Sequence, residues 1–334
     1  MLKKIAAALV FVTLTSPATA QTEMRFAIDG PLSGSSAPYV FADDTGLFDA
    51  EGLSIEVRPT RSALDVVNRV GLGTYPFGVT DFPTFAEYII MNPGSPVVAL
   101  MIMHDRSAYT VVGLKSHGIA SVADLAGHVV AHDSNSFAKF RLINVANSND
   151  LNMADITLKH REPTEIAAAL AAGEVDAIIG LSYDLLPDLA RLGVSADDLT
   201  ILPMADNGLE LYGQALVINT AFLDKSSGTA TKLVAAVLKA WKASIADPDA
   251  AIAALVARNP ELDPVLEAER LRMIIAENVL TPWVLENGFG TTYQARQEWN
   301  VAQLQDNPAF INSEDRGTFF NMNFLPSAKD RAMQ

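Results

Sequence analysis

Five histidines, one serine in a glycine-led turn and several strand-end aspartates are the residues of this chain whose types could do chemistry, and their spacing excludes most reactions. Gly180-Leu181-Ser182-Tyr183-Asp184 stands between a strand-like run and a helical one, where the nucleophile elbow of a hydrolase would stand. Asp184 takes the place of the second glycine, which that tight turn needs to avoid a clash. His104, His117, His128, His132 and His160 all precede Ser182, whereas the elbow fold orders its base after its nucleophile. His128 and His132 fall on one strand face, but the sequence sets no third ligand beside them, so no metal site is expected. They read as surface residues at the two ends of a strand. No phosphate-cradling Gly-x4-Gly-Lys-Ser/Thr loop, paired-His zinc helix or Asp-rich calcium loop occurs. In Gly71-Leu72-Gly73-Thr74-Tyr75-Pro76, Pro76 replaces the third glycine of a dinucleotide fingerprint and a strand follows, so this is a helix stop. No catalytic residue and no cofactor is expected.

What remains is a set of polar and aromatic residues in loops at the carboxyl ends of strands, where open α/β sheets bind ligands. Asp29 and Asp81 favour a ligand with N–H donors or positive charge, and Tyr39, Phe82, Tyr183 and Tyr212 offer faces for a planar ring. Ser134, Asn135 and Ser136 at a helix start, with Arg106, would instead hold a sulfonate or carboxylate. Both ligand classes stay open. Asp81 is expected to serve the ligand while adding little to the unliganded fold.

The elements that must place these residues alternate. Strand patterns at residues 24–29, 53–59, 77–80 and 97–103 are separated by helical patterns at 37–48, 63–70 and 83–91. From residue 109 the pattern restarts, with strands at 109–114, 128–132, 156–160, 176–181, 199–202 and 214–219. Helices are read at 121–126, 137–146, 163–172 and 185–192, and beyond residue 230 the chain is helical, with amphipathic stretches at 232–245 and 265–279. Runs this apolar on consecutive positions, separated by helices, are what a parallel sheet covered on both faces requires. Two α/β units and a helical tail follow.

Residues 1–20 read as an export signal: a Lys3-Lys4 start, an apolar run too short to span a bilayer, and Ala18-Thr19-Ala20 as a small-residue cleavage site. Removing them leaves 22 basic against 39 acidic residues, a net charge of −17, which repels nucleic acid and anionic membrane surfaces. The chain has no cysteine, hence no disulfide and no lipid-attachment site, and no direct membrane anchor is expected.

Four segments resemble one family in register. Gly71 to Asp81 resembles the "G-x-x-D-F-G-x-x-D" stretch of periplasmic solute-binding proteins of the nitrate/sulfonate/taurine and thiamine-pyrimidine-precursor type, with Tyr75-Pro76 as a departure in a turn. Gly46-Leu47-Phe48 through Gly52-Leu53 resembles its "G-L-F-x-x-x-G-L" start, Ile119 to Gly127 its "I-x-S-x-x-D-L-x-G" opening of the second lobe, and Ala168 to Ala177 its "A-L-x-x-G-x-V-D-A". The resemblance implies a two-lobed type II periplasmic-binding-protein fold, each lobe an open mixed sheet flanked by helices. Lobe 1 would comprise residues 21–109 and 213–334, including the C-terminal helices, and lobe 2 residues 110–212, with crossovers near 105–113 and 206–216. It further implies a monomeric periplasmic protein that is no enzyme and delivers a small solute to an inner-membrane ABC permease. A fungal branch of the family makes thiamine pyrimidine with a cysteine-rich iron site, chemistry that a cysteine-free chain does not support. A sensor or enzyme subunit on the same fold, with His104 or His132 as base, is the alternative.

Overall fold

The structure is a computed structural model and describes residues 23–133, 138–305 and 318–333. The expected signal at 1–20 and the candidates Ser134, Asn135 and Ser136 lie outside the described residues.

The first unit runs β1 (Met24–Ile28), α1 (Ala37–Asp44), α2 (Leu47–Ala50), β2 (Ile55–Pro59), α3 (Ala63–Gly71), β3 (Phe77–Asp81), α4 (Phe82–Met91) and β4 (Val97–Ile102). The helical pattern at 37–48 forms two helices because Gly46 adopts φ 72°, a left-handed conformation that glycine takes without a Cβ clash and that breaks the ladder. The second unit runs β5 (Tyr109–Leu114), β6 (Val129–Asp133), α5 (Ala138–Ser148), β7 (Thr157–Arg161), α6 (Pro163–Ala171), β8 (Ala177–Leu181), α7 (Ser182–Arg191) and β9 (Leu199–Pro203). The chain then returns as β10 (Gln214–Asn219) and continues through α8 (Thr220–Lys225), α9 (Ser227–Ala246), α10 (Pro248–Arg258), α11 (Pro264–Met273), α12 (Pro282–Asn287) and α13 (Gln294–Gln305). Residues Ile274–Val279 between α11 and α12 form a π-helical turn.

Two five-stranded sheets result, ordered β2-β1-β3-β10-β4 and β7-β6-β8-β5-β9. In each the first three strands are parallel, and the strand that has just crossed from the other sheet, β10 or β5, lies antiparallel to both neighbours. Both sheets are therefore mixed. The apolar runs at 77–81 and 97–102 are buried at every position because helices cover both faces of the first sheet. On one face Phe26, Tyr39 and Trp241 are fully buried, and Trp241 Nε1 donates to Tyr39 Oη at 3.1 Å, so the indole enters the core without an unmet donor. The C-terminal segment also returns to this sheet: Ala99 N donates to Phe319 O at 2.9 Å, and Asn321 N to Ala99 O at 2.8 Å.

Candidate cleft between the sheets

The carboxyl ends of β1, β3 and β8 meet around one small cavity, and the sequence rules of strand ending and helix capping place the side chains there. Asp81 ends β3 and caps α4: its Oδ2 accepts from Thr84 N at 3.2 Å and from Thr84 Oγ1 at 2.8 Å. Contrary to the sequence expectation, it is thus part of the unliganded fold. The same oxygen receives Arg141 Nη2 of α5 at 2.8 Å, and that nitrogen also reaches Thr84 Oγ1 at 2.9 Å and Glu87 Oε2 at 3.4 Å. Arg141 is fully buried, with its guanidinium carbon 4.0 Å from the centroid of the Tyr109 ring. Its Nε and Nη1 have no hydrogen-bond partner among the described residues. A helix of the second unit is thereby bonded to a strand end of the first.

Asp29, at the end of β1, has no such cation in contact among the described residues. Burial, then the carboxylates of Asp81 and Asp184, push it up to about 7, against the opposing pull of the Asp81 backbone N–H and of Arg141. Burial likewise lifts Asp184 to about 6, with Arg270 opposing. His104 is buried and driven down to about 3 by desolvation alone, so its ring is neutral, and its Nε2 lacks a partner among the described residues. Tyr183 meets His104 edge to face at 6.3 Å between centroids. Asp29, Asp81, His104, Leu181, Tyr183 and Gln214 enclose about 20 Å³, room for about one water molecule, so the walls are closed upon each other. A second tie between the units is Arg270 of α11, which reaches Asp188 of α7 at 2.9 Å and Glu267 at 2.7 Å.

Of the sequence candidates, Asp29, Asp81 and Tyr183 are brought together here. Tyr39, Phe82 and Tyr212 are not: all three are fully buried. Tyr39 donates to Gln214 Oε1 within the core. Phe82 stacks on Phe320 at 5.0 Å and meets Tyr212 edge to face, while Tyr212 Oη pairs with Thr292. Arg106 pairs with Asp206. Arg141 and Glu87 were missed, although each had a signal: Arg141 falls at i+3 from Ala138 and i−4 from Val145, a charge on the apolar stripe of its helix. Among the described residues no group of three or more His, Cys, Asp or Glu side chains is placed to hold a metal, and the cysteine-free sequence supplies no thiolate for an iron site.

The family model described as NMT1/THI5 like matches residues 33–251. The chain belongs to the NMT1/THI5-like family. This member is 25% identical over 268 residues to the 4-amino-5-hydroxymethyl-2-methylpyrimidine phosphate synthase THI13 of Saccharomyces cerevisiae, covering 76% of this chain and 78% of that one. The NMT1/THI5-like chain also superposes on the periplasmic aliphatic sulphonate binding protein SsuA from Escherichia coli with a TM-score of 0.69 at 16% identity, covering 94% of this chain and 98% of that chain. With the periplasmic nitrate-binding protein NrtA from Synechocystis PCC 6803 the TM-score is 0.65 at 12% identity, over 89% and 84%. Its fold is the periplasmic-binding-protein fold, with two mixed sheets flanked by helices.

Proposed function

We propose that this protein is an extracytoplasmic solute-binding subunit of an ABC importer that grips a small nitrogenous solute of aminopyrimidine type between two lobes. Lobe 1 comprises residues 21–109 and 213–334, and lobe 2 residues 110–212. The first twenty residues serve as a cleaved signal, and the mature monomer docks on an inner-membrane permease. The observation that carries the ligand class is the unequal pair of strand-end carboxylates: Asp81 is paired with Arg141, whereas Asp29 has no cation in contact among the described residues and sits near its own midpoint at neutral pH. Such a carboxyl pairs with the amidine edge of an aminopyrimidine through two hydrogen bonds and matches the ligand's charge by holding or releasing its proton. The ring would lie against Tyr183. The yeast relative is named for an aminopyrimidine phosphate, which supports the same class.

Binding without turnover is the favoured reading because, of the two histidines read as possible bases, the buried His104 is too weak to take a proton at neutral pH and His132 does not line the front cavity. A sulfonate or carboxylate ligand would depend on Ser134, Asn135 and Ser136, and the fold shared with SsuA keeps it as the second reading.

A thermal-shift screen of mature protein against aminopyrimidines, alkanesulfonates, amino acids and polyamines tests the proposal. An aminopyrimidine at a hundredfold excess over its Kd adds about 2.7 kcal/mol of stability. The shift is expected to vanish in Asp29→Ala. A shift with sulfonates alone, or an undiminished aminopyrimidine shift in Asp29→Ala, overturns the ligand class.

A further inference from the structure

Beside the two crossovers lies a cavity of about 740 Å³. Its walls come from the first crossover (Asp105 to Ala108), the second crossover (Asp206, Glu210), the second sheet and its helices (Thr110, Leu186, Ile201), and the π-helical turn with α12 (Glu277, Trp283). Ala108 lines both this cavity and the small front one, so a single thickness of crossover separates them.

The π turn is what shapes one wall. A π-helical insertion widens a helix and re-aims its side chains, and such insertions recur at functional positions. Here it carries Asn278, which clasps the crossover from both sides: Arg106 N donates to Asn278 O at 3.3 Å, and Asn278 Nδ2 donates to Arg106 O at 3.1 Å. Asn278 is buried, and its side-chain oxygen has no partner among the described residues; the same holds for the Nε of buried Arg296. An acceptor and a donor on two residues that line one cavity are thus left unmet.

The charges of that lining do not cancel. It carries four carboxylates, Asp105, Asp206, Glu210 and Glu277, against two guanidinium groups, Arg106 and Arg296. Arg296 is bonded to Asp105 and lies 3.5 Å from Glu210, and Arg106 is bonded to Asp206. Glu277 makes no ion pair among the described residues. Trp283 and Tyr293, tilted by 39° at 5.8 Å between centroids, add two aromatic rings to the same lining, and Leu186 and Ile201 add apolar side chains.

We propose that this cavity is a second ligand site, taking a small aromatic cation whose ammonium group meets Glu277 and whose ring lies on Trp283 and Tyr293. The site is independent of the solute assigned to the front cleft. Its consequence for motion rests on the two-lobe reading: the cavity draws its walls from both lobes, Glu277 and Trp283 from one and Thr110, Leu186 and Ile201 from the other, so an occupant bridges them as the front solute does. Occupation is therefore coupled positively to closure.

The probe is tyramine, with 4-hydroxyphenylacetate as the anion of the same ring. Closure is read as the distance between spin labels at Arg61→Cys and Thr164→Cys, exposed positions beyond β2 and β7, in a chain with no cysteine of its own. Tyramine is expected to give calorimetric binding to the mature protein and to shift the label distances to shorter values, and 4-hydroxyphenylacetate to give neither. Glu277→Gln is expected to weaken tyramine at least tenfold and Trp283→Leu by a similar factor, while Asp29→Asn leaves it unchanged. Unaltered tyramine binding in both Glu277→Gln and Trp283→Leu, absence of binding at millimolar concentration, or saturated binding with unchanged label distances overturns the proposal. Loss of binding in Asp29→Asn with Glu277→Gln unaffected also overturns it, because the amine would then occupy the front cleft.

Discussion

Arg141 brings one positive charge to a buried place where Asp81 and Glu87 supply two carboxyl groups. Asp81 holds the guanidinium at 2.8 Å, and Glu87, at 3.4 Å, is pushed up to about 8, with burial as the largest cause. The folded protein therefore keeps the Glu87 proton up to about pH 8, whereas the unfolded chain releases it near the ordinary 4.5. The native state binds more protons in that window, so stability falls as pH rises through it. Glu87→Gln is expected to remove this share of the slope in urea-unfolding free energy measured from pH 5 to 8, leaving the shares of Asp29 and Asp184. Arg141→Gln leaves Asp81 buried without its cation, and a loss of about 3–5 kcal/mol in the same measurement is expected. Arg141→Lys should recover little, because a lysine lacks the planar fork that serves Asp81 and Tyr109 together.

The two crossovers work as one element because their backbones bond to each other. Gly213 N donates to His104 O at 2.9 Å, Ser107 N to Leu211 O at 2.8 Å, and Phe82 N ties α4 to Gly213 O at 2.8 Å. Glycine at 213 permits this approach: a Cβ there would sit 2.7 Å from His104 Cβ and 3.2 Å from Arg106 O. Gly213→Ala must spread the crossovers and is expected to destabilise by about 1–3 kcal/mol in thermal unfolding. Gly228→Ala, inside α9 with nothing within 4 Å of the added carbon, is the control and should be neutral or slightly stabilising. Equal effects at the two positions would remove the close approach at residue 213 as a structural requirement.

Closure of the molecule as a whole rests on ties from both flanks of the cleft. Arg141 joins α5 to the end of β3, and Arg270 joins α11 to α7. Asn144 Nδ2 adds a bond from α5 to Gln303 O of α13 at 2.6 Å. Arg270 and Asp188 keep partial solvent access, so their pair contributes only about 1 kcal/mol at most. On the two-lobe reading, the Arg141→Gln/Arg270→Gln double variant should populate an open form, with a larger radius of gyration by small-angle scattering than the parent protein. A scattering profile identical to that of the parent would show that neither arginine holds the lobes together.

The order of elements was legible in the chain because hydrophobic period and turn residues are local: all ten expected strands form, and Asp29 and Asp81 stand at strand ends as read. The same pattern runs on where the structure breaks it, since Gly46 splits one helical run and the 265–279 stretch ends in a π turn. The facing of the aromatic rings was not legible. Tyr39, Phe82 and Tyr212 sit beside polar strand ends in sequence but point into cores, because side-chain direction follows from sheet register and from the helices packed above. Nor does any local rule pair Arg141 with Asp81, 60 residues away. Folding alone brings that charge to that carboxylate and leaves Asp29 without a cation in contact among the described residues, and so decides what the cleft has to offer a solute.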